Sequence, residues 1–331
     1  MRVGNHEIAS NQSTFIIAEV GSNWHTFEDC LYSIEAAKKA GADAVKFQCF
    51  TFKSLYGLPP DKMPKTYSKD YELPLEWIAK LKSKADSVGI EFMCSTFDPD
   101  TMRAVDQYVN AHKIASSDLN YKELLDMAVR LRKPVFLSTG GSTEASIALA
   151  QAHLSDLEVC LMYCVSAYPA SSVNLFVIDK LKKMSPLVGF SDHTLDTNYI
   201  PLSAVKNHGA LAIEKHFNAL SVKNTPDAAH SLDELQFTSM VDLIRGHRSI
   251  QIQPSLPAEE EMLLKHKRRL IAISDIKGGE KLVLNQNYGV FRSLSSDASA
   301  LPPYVAEEIS GKLAAKAAFL GEPITKAHVK E

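Results

Sequence analysis

Short apolar runs alternate with amphipathic, helix-like stretches through most of this chain. Eight of the runs are nearly continuous in apolar residues, which is typical of strands buried on both faces of a parallel sheet. They predict strands at 15–21, 44–48, 90–94, 112–114, 134–138, 159–163, 187–191 and 210–215. The stretches around them predict helices at 27–40, 75–87, 99–108, 122–131, 143–154, 174–184 and 233–245, with one more between the last two strands.

Eight consecutive β/α units in about 250 residues are typical of a closed (β/α)8 TIM barrel, whose functional site lies at the C-terminal ends of the strands. The alternative is an open, doubly wound sheet. Such a sheet usually carries a glycine-rich phosphate loop after an early strand. Here Gly21-Ser22-Asn23-Trp24 ends the first predicted strand and opens the loop, instead of G-x-G-x-x-G. The pattern therefore favours the barrel.

The last quarter of the chain has a different pattern. Residues 251–261 contain two prolines and a run of glutamates, which is typical of an exposed connection. A strand is predicted at 270–273, and the turn at 275–280 resembles the one at 321–325. We predict a barrel domain at 1–250, a linker at 251–266 and a small domain at 267–331. Because so short a segment is near the lower limit for independent folding, we expect it to pack on a partner surface.

Composition excludes several classes of partner. The chain has 331 residues and a formal net charge of −3, so it has no basic excess to neutralise nucleic-acid phosphates. No apolar run approaches the roughly 20 residues that span a bilayer. Residues 1–13 lack the apolar core of a signal peptide. The five cysteines form no tight pairs, which is typical of reduced thiols. We therefore expect a cytoplasmic protein without nucleic-acid or membrane partners.

Two predicted strands run into histidines, at His193 and His216. Consecutive parallel strands bring their C-terminal ends to the same face, so these imidazoles can converge. One such histidine would most often be a packed or surface residue, but the pair favours a metal or catalytic site. No pattern of a closed zinc site is present, and two histidines leave coordination positions open for a Lewis-acid role. The spacing does not choose between Mn²⁺, Mg²⁺ and Co²⁺.

The other predicted strand ends also carry polar residues, among them two lysines and several hydroxyls. Lysines supply point charges and hydroxyls supply hydrogen bonds, as a phosphate and a carboxylate require. Each lysine alone is equally well explained by a salt bridge to a glutamate. The set favours an anion site, because the chain is not basic overall. Its members are Glu19, Lys46, Gln48, Ser95, Thr96, Lys113, Ser116, Ser138, Thr139, Ser166, Tyr168, Ser191 and Glu214.

Several segments at these strand ends match a family pattern in order along the chain. They are IAEVG at 17–21, ADAVKFQ at 42–48, KIAS at 113–116, STG at 138–140, SAYP at 166–169, GFSDHT at 189–194 and IEKHF at 213–217. The chain resembles the phosphoenolpyruvate-dependent nonulosonate synthases, which make N-acetylneuraminate (sialic acid), legionaminate and pseudaminate. The segment after residue 266, with DIKGGE at 275–280 and GEPI at 321–324, resembles the family's antifreeze-like (SAF) domain.

The resemblance implies a transferase that condenses phosphoenolpyruvate with an open-chain N-acetylated hexosamine. The products would be a nine-carbon 2-keto-3-deoxy sugar acid and phosphate. Glu19 would act as acid or base, and Tyr168 would lie between the substrates. The metal, Mn²⁺ before Mg²⁺ or Co²⁺, would be held by His193 and His216. Phosphoenolpyruvate would be bound by Lys46, Ser95, Lys113, Ser116, Ser138 and Ser191, and the sugar by Gln48, Asp227 and Arg292.

In this family the arginine that matches Arg292 reaches into the partner's barrel, so the resemblance also implies a domain-swapped homodimer. Ala228 follows Pro226-Asp227 where sialic and legionaminic synthases generally carry histidine, which favours the pseudaminate group. Two other functions stay open. One is a related synthase with a different, for example phosphorylated, aldose acceptor. The other is a barrel that binds a sugar or a partner without turnover.

Overall fold

The computed structural model describes residues 1–58, 62, 71–246, 267–292 and 299–330. A short antiparallel hairpin, β1 (Arg2–Val3) and β2 (His6–Glu7), precedes the barrel. The predicted closed barrel is confirmed, because eight parallel strands pair in sequence order and the last also pairs with the first. These strands are β3 (Phe15–Gly21), β4 (Ala44–Cys49), β5 (Glu91–Thr96), β6 (His112–Ile114), β7 (Val135–Ser138), β8 (Val159–Cys164), β9 (Val188–Asp192) and β10 (Ala212–His216).

Helices follow the strands on the outside of the barrel. They are α1 (Phe27–Lys39), α2 (Phe52–Tyr56), α3 (Ile78–Val88), α4 (Pro99–Val105), α5 (Lys122–Leu131), α6 (Glu144–His153), α7 (Phe176–Lys182), α8 (Tyr199–Lys206) and α9 (Glu234–Gly246). The helix predicted at 75–87 begins with a 3₁₀ turn, Leu75–Trp77. The helix α2 was not predicted, because five residues are too few to show a helical period.

Alternation along the strands divides the barrel into two hydrophobic cores. In β3, Ile16 and Ala18 belong to the outer core, which packs against the helices, whereas Phe15 and Ile17 belong to the inner one. The inner core fills the lower half of the barrel with Phe15, Ile17, Ala44, Met93, Phe136, Met162 and Ala212. Because side chains alternate along a strand, the next inward positions fall at the C-terminal rim. These positions carry Glu19, Lys46, Ser95, Ser138, Ser191 and Glu214.

The C-terminal segment has its own small core. β11 (Arg268–Ala272) pairs with β12 (Tyr288–Arg292) in antiparallel register, and α10 (Ala306–Ile309) packs nearby. The predicted strand at 270–273 therefore begins two residues earlier, at Arg268. The linker predicted at 251–266 lies outside the described residues. The domain boundaries and the assignment as an SAF domain stay predictions.

A buried ion pair attaches this segment to the barrel rim. The side chains of Arg268 and Asp118 are both fully buried, and the Arg268 guanidinium donates to the Asp118 carboxylate and to the Phe97 carbonyl. The same guanidinium lies 4.2 Å from the centre of the Tyr121 ring. The segment therefore packs on the barrel of its own chain, and the expected packing on a partner surface stays a prediction.

Two findings bear on the expected environment of the chain. All five cysteines are free and buried. Within the described ranges, no helix combines the length and the hydropathy that crossing a bilayer would require.

We predict that Arg268→Ala lowers the free energy of unfolding by about 3–5 kcal/mol, because it leaves the Asp118 charge buried and unpaired. The measurement is urea unfolding. Arg103→Ala is the matched control, since Arg103 pairs with Asp100 on the surface at 3.5 Å, and it should change stability by less than about 0.5 kcal/mol. Equal effects of the two substitutions would contradict the role assigned to the buried pair.

Candidate active site

One cavity of about 330 Å³ opens at the C-terminal rim of the barrel. The residues to which the family resemblance gives a role all line it, whereas Thr96 and Thr139, from the wider set of strand-end residues, do not. The lining residues with such a role are Glu19, Lys46, Gln48, Ser95, Lys113, Ser116, Ser138, Tyr168, Ser191, His193, His216, Asp227 and Arg292. The other lining residues include Glu214, which belongs to the strand-end set, and His230 and Lys267, which the sequence analysis did not name.

Two buried lysines and two buried carboxylates occupy the floor of the cavity. The ammonium of Lys46 lies 2.5 Å from a carboxylate oxygen of Glu19 and 3.5 Å from Glu214. Lys113 lies 3.7 Å from the same Glu214 oxygen. The salt-bridge explanation of Lys46 is therefore confirmed, and its part in an anion site stays a prediction. We call these four residues, Glu19, Lys46, Lys113 and Glu214, the charge quartet.

Hydroxyl groups form further hydrogen bonds with the quartet. Lys46 donates to the Ser95 hydroxyl at 2.7 Å, and Lys113 donates to Ser138 at 2.9 Å. Ser191 donates to the carboxylate of Glu214 at 3.0 Å. Ammonium groups and hydroxyls side by side at one end of a cavity form a site that fits an anion with several oxygens.

Burial shifts the titration of the quartet. Burial raises the pKa of Glu19, although the charge of Lys46 opposes this. Burial lowers the pKa of Lys113, with Glu214 opposing. Burial by itself would raise the pKa of Glu214. The charges of Lys113 and Lys46 outweigh burial, so the pKa of Glu214 is lowered. A carboxyl with a raised pKa beside an anion site is typical of a group that transfers protons.

The predicted histidine pair meets beside this site. The ring centres of His193 and His216 are 5.6 Å apart. The Nδ1 atom of His193 hydrogen-bonds to the Val165 carbonyl, which leaves Nε2 as the nitrogen able to accept a metal. Burial lowers the pKa of His193 to about 4 and that of His216 well below its usual range. Both imidazoles are therefore neutral at pH 7, as metal ligands must be.

Tyr168 lies against both of these histidines, and its place between two substrates stays a prediction. Its ring centre is 4.2 Å from that of His193 and 5.8 Å from that of His216. The side chain is partly exposed at the cavity mouth, so it can contact a molecule entering from solvent.

A tight turn after β10 holds Asp227 over the same cavity. One Asp227 oxygen accepts the Ser22 backbone N–H at 2.9 Å. A Cβ atom at Gly21 would lie 2.3 Å from that oxygen, so glycine is required for the approach. The following 3₁₀ turn, Ala228–His230, brings His230 back toward Asp227, with 3.5 Å between Nε2 and Oδ1. In the sequence, the contact between Asp227 and His230 could have been inferred from their i, i+3 spacing.

Arg292 comes to the cavity from the C-terminal segment. It donates to the Ser117 hydroxyl at 2.8 Å, and its guanidinium lies 5.0 Å from the centre of the Phe97 ring. Its Nε atom is buried without a hydrogen-bond partner. The single chain places this arginine at its own barrel, so one chain assembles a complete cavity. The domain-swapped homodimer stays a prediction.

Comparison with known proteins places this architecture in a family. Residues 33–253 match the model of the NeuB family, which is more than half of the chain. The chain belongs to the NeuB family. A pseudaminic acid synthase of Campylobacter jejuni is 33% identical over 347 aligned positions, with 98% of each chain covered. The resemblance inferred from the strand-end motifs is therefore confirmed.

Solved structures of NeuB-type proteins agree. The spore coat polysaccharide biosynthesis protein SpsE of Bacillus subtilis superposes with a TM-score of 0.84 at 28% identity, covering 100% of this chain and 99% of that one. A sialic acid synthetase of Leptospira borgpetersenii superposes with a TM-score of 0.69 at 28% identity, covering 76% and 92%. The named NeuB relatives are synthases, which indicates that this chain is an enzyme.

We predict that Lys113→Met weakens the binding of phosphoenolpyruvate about tenfold to a hundredfold, because a hydrogen bond from a charged group is worth about 1.5–3 kcal/mol. Isothermal titration calorimetry measures this. Lys122→Met is the control, since Lys122 is exposed and pairs with Asp126 at 2.9 Å on α5. An unchanged affinity in Lys113→Met would remove this lysine from the anion site.

Proposed function

We propose that this chain condenses phosphoenolpyruvate with an open-chain N-acetylated hexosamine. The products are a nine-carbon 2-keto-3-deoxy sugar acid and inorganic phosphate. The observation that carries the proposal is that the charge quartet and the histidine pair open into one cavity. Membership of the NeuB family and the names of its synthases support it.

The lysines and hydroxyls bind phosphoenolpyruvate in this proposal. Lys46 and Lys113, with Ser95, Ser138 and the nearby Ser116 and Ser191, face the phosphate and the carboxylate. Because these groups are buried, their attraction for an anion is stronger than in water. Glu214 sits within 4 Å of both ammonium groups and keeps the empty site close to neutral.

The histidines fit a divalent metal. The Nδ1 atom of His216 is buried without a hydrogen-bond partner, and burial keeps this imidazole neutral. A bound ion would satisfy this nitrogen. We propose Mn²⁺, with Mg²⁺ and Co²⁺ as alternatives, and such an ion would supply Lewis-acid polarisation of the sugar's aldehyde oxygen.

Glu19 transfers the protons. As C3 of phosphoenolpyruvate bonds to the aldehyde carbon, Glu19 gives a proton to the aldehyde oxygen. Water then adds to C2 and returns a proton to the Glu19 carboxylate. The C2–O bond to phosphate breaks, the hydroxyl proton leaves with the phosphate, and C2 becomes the keto carbon. Gln48 donates to Glu19 at 2.8 Å and holds the carboxyl in place for both transfers.

The sugar lies at the outer end of the cavity in this proposal. Gln48, Asp227 and Arg292 face it, and the buried Nε of Arg292 is a donor that a sugar oxygen can accept from. Tyr168 lies between the two substrates. The alanine after Asp227, together with the Campylobacter relative, favours an acceptor of the pseudaminate type.

Phosphate release tests the proposal. We expect phosphate from the wild type with phosphoenolpyruvate, Mn²⁺ and at least one member of a panel of N-acetylated hexosamines. Glu19→Gln should abolish turnover while phosphoenolpyruvate binding stays within about threefold, because the amide keeps the shape but cannot give up a proton at neutral pH. Glu35→Gln, on the outer face of α1, is the control and should keep full activity.

Three outcomes separate the alternatives. Near-normal turnover in Glu19→Gln would remove Glu19 from the chemistry. Phosphate with a phosphorylated aldose alone would indicate the related synthase. No phosphate with any acceptor, while a sugar still binds, would favour the barrel without turnover.

The proposed domain-swapped homodimer has a separate test. Arg292→Met and Glu19→Gln are expected to be inactive alone. If Arg292 serves the partner's barrel, co-expressing the two variants gives mixed dimers with one intact site, and activity returns to about a quarter of the wild-type level under random pairing. Activity that does not return in confirmed mixed dimers would mean that Arg292 serves its own barrel.

A further inference from the structure

We propose that His230 is an additional ligand of the divalent ion, joining His193 and His216. The inference rests on the metal role in the proposed function and adds to it a ligand that the strand-end pattern does not contain. His230 lies in the 3₁₀ turn Ala228–His230, three residues after Asp227.

The first argument is distance. Within the described residues, the ligand atoms of His216, Asp227 and His230 all lie within 4.8 Å of one another. His216 Nδ1 is 3.9 Å from an Asp227 oxygen, and His230 Nε2 is 3.5 Å from the other. Two atoms that bind one ion at about 2.1 Å can lie up to about 4.2 Å apart. Both separations, each between a histidine nitrogen and an Asp227 oxygen, fit within that limit, so both imidazoles lie within ligand-sharing distance of the Asp227 carboxylate.

The second argument is the unsatisfied nitrogen. The Nδ1 atom of His216, which lies 3.9 Å from an Asp227 oxygen, is buried and has no hydrogen-bond partner among the described residues. A polar atom in such a place requires a partner, and an ion between the two imidazoles would supply it. The ring centres of His216 and His230 are 4.6 Å apart at an interplanar angle of 74°.

The third argument is rigidity. A buried Asn23 side chain donates to the Ser231 hydroxyl at 2.8 Å and accepts from Thr225 at 2.7 Å. Ser231 in turn donates to the Asp227 carbonyl at 2.7 Å. This network fixes the turn on both sides of His230, so the imidazole is held near its place before any ion arrives.

The alternative is that His230 only packs beside Asp227 as a pair on one turn. The two explanations differ in their dependence on the metal. An imidazole ligand contributes more to Co²⁺ binding than to Mg²⁺ binding, because Mg²⁺ prefers oxygen ligands. A packing role would affect both metals equally.

The experiment measures Co²⁺ and Mg²⁺ affinity of the metal-free full chain by calorimetry, without substrates. We expect His230→Ala to weaken Co²⁺ binding at least about tenfold and Mg²⁺ binding less than about threefold. His208→Ala is the control, since His208 also pairs with an aspartate, Asp179, at 2.7 Å, but beyond α8 at the opposite end of the barrel. It should leave both affinities unchanged.

An unchanged Co²⁺ affinity, an equal loss for both metals, or a wild type that binds no Co²⁺ would each overturn the proposal. If His230→Ala does not fold, pulsed electron paramagnetic resonance of the Mn²⁺-loaded wild type decides. Three coordinated imidazole nitrogens would support it, and two would overturn it. These measurements need no turnover. His230 can therefore be confirmed as a metal ligand even if the condensation activity is not found, and the activity can be found even if His230 does not bind the metal.

Discussion

Two ammonium groups and two carboxylates lie buried within 4 Å of their neighbours at the top of the barrel, and the candidate site depends on this arrangement. Any one of these charges alone would be costly to bury, whereas the four together are nearly neutral. Glu214 lies near the ammonium groups of both Lys46 and Lys113, and burial raises the pKa of Glu19 beside them. In the proposed function, binding of the anion and proton transfer would therefore share one set of charges.

The barrel makes this arrangement possible by separating two layers along each strand. The lower inward positions are apolar and fill the interior, with Phe15 and Phe136 stacked at 6.0 Å. The upper inward positions are polar and face the cavity. The filled lower layer keeps water from reaching the quartet from below. Solvent and substrates therefore reach the buried charges from the rim, where the loops and the C-terminal segment select what enters.

The C-terminal segment completes that rim. The pair of Arg268 with Asp118 fixes the start of β11, and Arg292, at the end of β12, is the direct antiparallel partner of Arg268. Arg292 then lies 3.4 Å from the second oxygen of the same Asp118. One buried carboxylate thus sets both the attachment of the segment and the position of the arginine in the cavity.

The sequence by itself determined the barrel and most of the cavity. Parallel strands in sequence order bring their C-terminal ends together, so reading off the residues there, from Glu19 to His216, was enough to assemble a site. The sequence did not determine which charged side chains pair with one another, nor the distances between them. The pairing of Lys46 with both Glu19 and Glu214 depends on the register across three strands. His230 and Arg292 enter from a turn and from a distant segment. Their positions follow from a hydrogen-bond network and a buried ion pair, and only the tertiary structure decides such long-range contacts.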